Sequence, residues 1–205
     1  EIENICGLFH LDKITEDAAI SMIKIQLDQL IYESMMGRNS NFRYTDLSSV
    51  FKSPKIFEYI KRTFEKGDGH IPNKITQRKP ILNILTHNLL IFSNPLFKSV
   101  NRNIYFFEIL RHPLYMIIQQ TLNHINFYKD ENKSRQFHLC LKKNDKEFFY
   151  WNHDYIDEFL LCNPVERAIL EIEYFANKAI IFKQNNPEYI KNIKTINFEN
   201  FVIDP

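Results

Sequence analysis

The sequence predicts an α/β domain with a mainly parallel sheet flanked by helices. Residues 104–110 (I-Y-F-F-E-I-L) form a nearly unbroken run of β-branched, aromatic and aliphatic side chains. That is the pattern of a strand buried on both faces. Residues 81–86 (I-L-N-I-L-T) and 193–198 (I-K-T-I-N-F) read as two more strands of the same sheet. The stretches around them carry helical spacing, so the order runs helices, strand, strand, helix, hairpin, helix, strand.

Along the chain, the first 11 residues read as an irregular apolar segment. Thr15, followed by Glu16 and Asp17, then starts a helix, with acids in the first turn to suit its dipole. Ile20, Ile23, Leu27, Leu30 and Ile31 supply its apolar face, and Gly37 is the natural stop. Residues 38–48 are polar and read as a loop. Ser53 and Pro54 are expected to cap and begin a second helix, with Ile56, Phe57, Ile60 and Phe64 turned inward. Residues 66–80, rich in Gly, Pro and charge, read as a long mobile loop.

His87 follows the strand at 81–86, and Arg111 follows the strand at 104–110. If the strands are parallel, both stand at the carboxyl edge of the sheet, where ligands of open α/β folds bind. Pro113 suits the first turn of a helix, with Leu114, Ile117, Ile118 and Leu122 as its apolar stripe. A helix N-terminus favours anions, so Arg111 is either an anion ligand or a surface residue closing a βα turn. His87 is likewise either a site residue or an ordinary loop histidine.

Residues 137–141 and 148–151 read as a hairpin turning at Asn144 and Asp145, either an insertion over the site or, slightly favoured, a surface decoration. Asn163, Pro164 and Glu166 form a strong helix start, and Val165, Ile169, Ile172, Phe175, Ala176 and Ala179 its apolar face to about Phe182. Asn185-Asn186-Pro187 ends it, and residues 200–205 read as a terminal turn.

Composition narrows the function classes. The 205 residues fit one domain, and 44% hydrophobic residues fill a sizeable core. Twenty-six basic residues against 25 acidic ones leave a formal charge of +1, so no global field points to nucleic acid. Three widely spaced cysteines fit neither a disulfide framework nor a zinc pattern, and no metal is expected. No apolar run is long enough to span a membrane, and no signal peptide is visible. These features place the expected location in the cytoplasm.

Three stretches together resemble the core of the PAPS-dependent sulfotransferases, which use 3′-phosphoadenosine 5′-phosphosulfate (PAPS) as donor. They are T-H-N-L-L from Thr86, I-L-R-H-P-L-Y-M-I from Ile109 and I-N-F-E-N-F-V-I-D-P from Ile196. They stand in the family's order, with the long helix from Pro164 before the last strand, and the resemblance covers about residues 81–205. It implies a P-loop-NTPase-like sulfotransferase fold. It also implies transfer of a sulfuryl group to a hydroxyl or amine, with carbohydrates and small alcohols as the leading acceptors. Residue by residue, Arg111 matches the ligand of the donor's 3′-phosphate, and His87 matches the catalytic base. Gln119 stands where the family usually has a serine sharing that phosphate.

The chain also departs from the family pattern. Leu85 replaces a lysine before Thr-His, and no Gly-x-x-x-Ser-Gly-Thr-Thr loop for the phosphosulfate occurs. Gly7, in C-G-L-F-H, lacks the serine and threonine such a loop needs, and the family's C-terminal Arg-Lys-Gly loop is missing. The chain is expected to be the middle of a longer sulfotransferase domain. The alternative is a sulfotransferase-like binding or structural domain without catalysis. An unrelated nucleotide-binding α/β protein ranks last, because it too needs a phosphate loop.

Overall fold

A computed structural model describes residues 1–67, 69–101, 103–129 and 138–203. The protein is a mixed α/β structure that divides into two compact units, Glu1–Ser21 with Thr86–Pro205 and Met22–Leu85. Among the described residues, no helix is long and apolar enough to cross a membrane.

In the larger unit, the strands β1 (Phe106–Leu110) and β4 (Ile193–Asn197) pair in parallel, with Phe106 opposite Ile193 and Leu110 opposite Asn197. Two of the three expected strands therefore share a sheet as predicted. The third does not form. Residues 81–86 belong to no strand, and Ile81 and Leu85 are 89% and 92% exposed. Among the described residues, the parallel sheet consists of β1 and β4. An apolar run alone does not secure a strand without a partner for its N–H and C=O groups.

Among the described residues, the sheet is covered on one face. Phe106 packs into a cluster of Leu90, Phe97, Phe182, Tyr189 and Ile193, in which the Phe97 and Tyr189 rings stack 4.4 Å apart. Phe107 and Ile109, pointing the other way by the period of two, remain exposed. Glu108 shares the covered face. Its carboxylate accepts hydrogen bonds from Lys183 Nζ at 2.5 Å and Thr195 Oγ1 at 2.6 Å, which ties β1, β4 and the long helix together.

That helix, α8 (Pro164–Asn185), starts as the sequence predicts. Asn163 Oδ1 accepts from the N–H groups of Val165 and Glu166, and Glu166 Oε2 accepts from the Asn163 N–H, completing a capping box. Its buried face matches the expected one in part: Ala168, Glu171 and Phe182 are buried and Ile172, Phe175 and Ala179 half-buried, while Val165, Ile169 and Ala176 are exposed. Glu171 is the polar residue of the buried face. Its Oε1 accepts the Trp151 indole N–H at 2.9 Å, and its Oε2 lies 3.0 Å from His124 Nε2, off the hydrogen-bonding direction.

His124 belongs to α6 (Pro113–Lys129), which begins at Pro113 as expected. Here the stripe is displaced: Leu114, Ile118 and Leu122 are exposed, and His124 and Phe127 are buried. The helix is apolar on more than one side, and packing against α8 selects which side is covered.

The hairpin forms from β2 (Cys140–Lys143) and β3 (Lys146–Phe149), with Asn144 and Asp145 at positive φ in the turn. Its expected first residue, Phe137, lies outside the described residues, and Trp151 falls in the following 3₁₀ turn, not in the strand. It is no decoration. Phe148 is buried with Ile156 and Phe159, both in α7 (Ile156–Leu161). At the start of the chain, the expected irregular segment is a helix, α1 (Ile2–His10). A Cβ at Gly7 would meet the buried Tyr150 ring at 2.9 Å, so this glycine serves close packing and not phosphate binding. A short helix, α5 (Asn94–Ser99), brings Leu96 and Phe97 into the core. A last one, α9 (Phe198–Ile203), stands where a turn was expected, and Asp204 and Pro205 of that expected turn lie outside the described residues.

The helix α2 (Glu16–Met36) starts after Thr15, whose Oγ1 accepts from the Ala18 N–H, and stops at Gly37, whose φ is +77°. In the smaller unit, α3 (Ile56–Thr63) begins two residues later than Pro54, because Ser53 Oγ caps a preceding turn at the Lys55 N–H. Phe57 and Phe64, expected inward, are exposed. The expected mobile loop contains α4 (His70–Arg78), which buries Ile71 and pairs Lys74 with Glu65. The loop at 38–48 is ordered around Asn41, whose side chain bonds Asp46, Ser48 and the Arg43 N–H.

Removing the cap with Asn163→Ala is expected to cost about 1 kcal/mol in a denaturant titration, the usual value of such a cap. Glu171→Ala leaves the Trp151 N–H without its acceptor and opens a space between α6 and α8. A larger loss of about 3 kcal/mol is expected by the same measurement.

Candidate functional site

The resemblance matches Arg111 and Gln119 to one phosphate, and their side chains touch in the structure. Arg111 follows β1 directly, and Gln119 lies on α6 two turns beyond its start. Arg111 Nη1 donates to Gln119 Oε1 at 2.8 Å. The guanidinium also sits 5.6 Å from the Tyr115 ring centre and 5.3 Å from that of Phe198, which follows β4. A planar cation on two rings, fixed by an amide oxygen, keeps the rest of its donor fork open to solvent.

The helix N-terminus beside it is already satisfied by the chain itself. Leu114 N–H donates to His112 Nδ1 at 3.3 Å, and His112 N–H donates to Glu199 Oε1 at 2.8 Å. The hydrogen bond from His112 holds the Glu199 carboxyl below its usual pKa, so it is anionic at neutral pH. Any anion held here thus relies on the Arg111 guanidinium more than on the backbone N–H groups.

His87 stands elsewhere, in a bend. Among the described residues, no hydrogen bond or ion pair joins it to Arg111 or Gln119. Its partners are Glu3, in the first turn of α1, and His138, just before β2. His87 Nδ1 lies 3.6 Å from Glu3 Oε2, and His138 Nδ1 lies 3.9 Å from Glu3 Oε1. The two imidazoles meet edge to face at 5.0 Å.

The carboxylate between them is well held. Its side chain is 10% exposed, and it accepts from the backbone N–H groups of His87 and Asn88, each at 3.3 Å. His138 packs edge-on against Phe149 and Trp151. Burial lowers its pKa, partly offset by Glu3, so the ring is neutral near pH 7. The His87 side chain is 68% exposed, and its outer edge faces solvent.

Glu3 and His138 were not legible as site residues. Glu3 lies 84 positions before His87, and no local spacing links them. Glu108, the other carboxylate near the expected site, is engaged by Lys183 and Thr195 and faces the packed layer. Cys6, Cys140 and Cys162 lie outside any disulfide. Cys6 is inert, its pKa pushed up to about 12 by burial and then by the Glu3 charge. An open groove lined by Asn101, Asn103, Lys191 and Asn192 lies at the amino-terminal end of β1, the opposite end from Arg111.

Two constellations thus emerge in the larger unit: an arginine on aromatic rings at the carboxyl edge of the parallel pair, and a carboxylate shared by two histidines. No family model matches this chain, and it matches neither a curated protein nor a solved structure.

Proposed function

We propose that this chain is the core of a PAPS-dependent sulfotransferase that moves a sulfuryl group to a hydroxyl or amine acceptor, with carbohydrates and small alcohols as the leading acceptors. The observation that carries this reading is the Arg111–Gln119 contact at the carboxyl ends of β1 and β4. The two residues matched to the 3′-phosphate ligands are eight positions apart, yet they touch where a parallel α/β sheet binds its ligand. On this reading the guanidinium takes the 3′-phosphate through charge-assisted hydrogen bonds, and Gln119 turns its amide N–H toward the same anion.

In the transfer, the acceptor oxygen attacks sulfur as the bond from sulfur to the 5′-phosphate oxygen breaks, and 3′-phosphoadenosine 5′-phosphate leaves. His87 takes the acceptor's proton. Glu3 lies behind its Nδ1 and favours the tautomer that leaves Nε2, on the solvent side, as the base.

A second reading, a sulfotransferase-like binding domain without catalysis, draws on two features. Leu85, in the place of the family's lysine, is exposed, and Glu199 puts a negative charge beside Arg111 that opposes a phosphate.

In the full-length protein, Arg111→Ala is expected to weaken binding of 3′-phosphoadenosine 5′-phosphate by about 1.5–3 kcal/mol in calorimetry. Equal affinity of variant and wild type removes Arg111 from the site. Turnover separates the two readings. Under catalysis, His87→Ala and His87→Asn are each expected to lose on the order of a hundredfold or more in rate, with nucleotide affinity nearly intact. Nucleotide binding by a wild type that transfers no sulfuryl group selects the binding domain.

A further inference from the structure

We propose that Glu3, His87 and His138 form a binding site for a divalent transition metal of the zinc class, with its remaining coordination position open to solvent on the His87 side. One carboxylate oxygen and one nitrogen of each ring lie within 4.8 Å of one another. Ligand atoms about 2.0–2.2 Å from a tetrahedral zinc ion stand roughly 3.3–3.6 Å apart. The cluster therefore closes on an ion through shifts of about 1 Å, and the exposed His87 ring is free to make them.

The other two ligands are set in advance. The Glu3 carboxylate is held by the His87 and Asn88 N–H groups, and the His138 ring is held by Phe149 and Trp151. Such supporting contacts orient metal ligands and lower the cost of assembling the site. Among the described residues, no lysine or arginine pairs with Glu3. Its ion-pair partners are the two imidazoles, which serve as metal ligands when neutral.

A His87–Glu3 dyad for proton transfer needs only one histidine. The second imidazole, aimed by its Nδ1 at the same carboxylate, is what the dyad leaves unexplained. Two nitrogens and one oxygen, with no thiolate, suit zinc and its neighbours over calcium or magnesium, which take oxygen ligands. Three protein ligands on a solvent-facing cluster leave a position for water. The inference does not depend on the sulfotransferase reading, because metal binding is measured without donor or acceptor.

The experiment is titration of the chelator-stripped protein with Zn²⁺ by calorimetry, and with Co²⁺ by visible absorption. One ion per chain is expected, with the strong cobalt bands of a four- or five-coordinate site. His87→Ala and His138→Ala are each expected to lower zinc affinity by about a hundredfold or more, while His70→Ala, outside the cluster, leaves it unchanged. His87 is exposed, so its removal spares the core. His138→Gln, which keeps the ring's volume, replaces His138→Ala if that variant does not fold. Absence of zinc binding in the wild type overturns the proposal. So does unchanged affinity in the variant of either histidine.

Discussion

One carboxylate, that of Glu171, connects parts of the chain that share no local sequence signal. From the middle of α8 it accepts the Trp151 N–H and faces His124 on α6. Trp151 stacks on Phe149 at 4.5 Å and meets the edge of His138 at 5.2 Å. The interaction thus reaches through the aromatic layer to the Glu3 cluster. A polar group buried this deeply destabilises the fold unless it is hydrogen-bonded, so Glu171 and Trp151 depend on one another.

The parallel pair is the second constraint. Two strands are a small sheet, and the layer beneath them supplies what strand neighbours otherwise would. Phe106 enters the aromatic cluster, and Glu108 is fixed by Lys183 and Thr195. Parallel pairing sets both chain exits at one edge, where Arg111 leaves β1 and Phe198 leaves β4. Their contact is therefore a result of strand direction, not of sequence proximity. The outward residues Phe107 and Ile109 are exposed.

His87 sits where two chemistries compete. A histidine backed by a carboxylate can act as a base through its outer nitrogen. The same histidine shared with His138 can hold a cation through its inner one. An ion on Nδ1 draws electron density from the ring and weakens Nε2 as a base, so occupancy and proton transfer oppose each other.

The sequence by itself determined the features that depend on neighbours along the chain. The Asn163 capping box, the Gly37 stop, the Asn144–Asp145 turn and the helix start at Pro113 all depend on contacts within a few residues. The parallel partners β1 and β4 were legible because their strand runs were strong. Tertiary structure alone decided the rest. Residues 81–86 have a strand's composition but pair with no other segment among the described residues. Leu114 and Ile118 have a core stripe's spacing but face water, while His124 and Phe127 are the buried side of α6. Glu3 and His138 join His87 only because the fold returns distant segments to one place, and long-range proximity leaves no period or spacing to read.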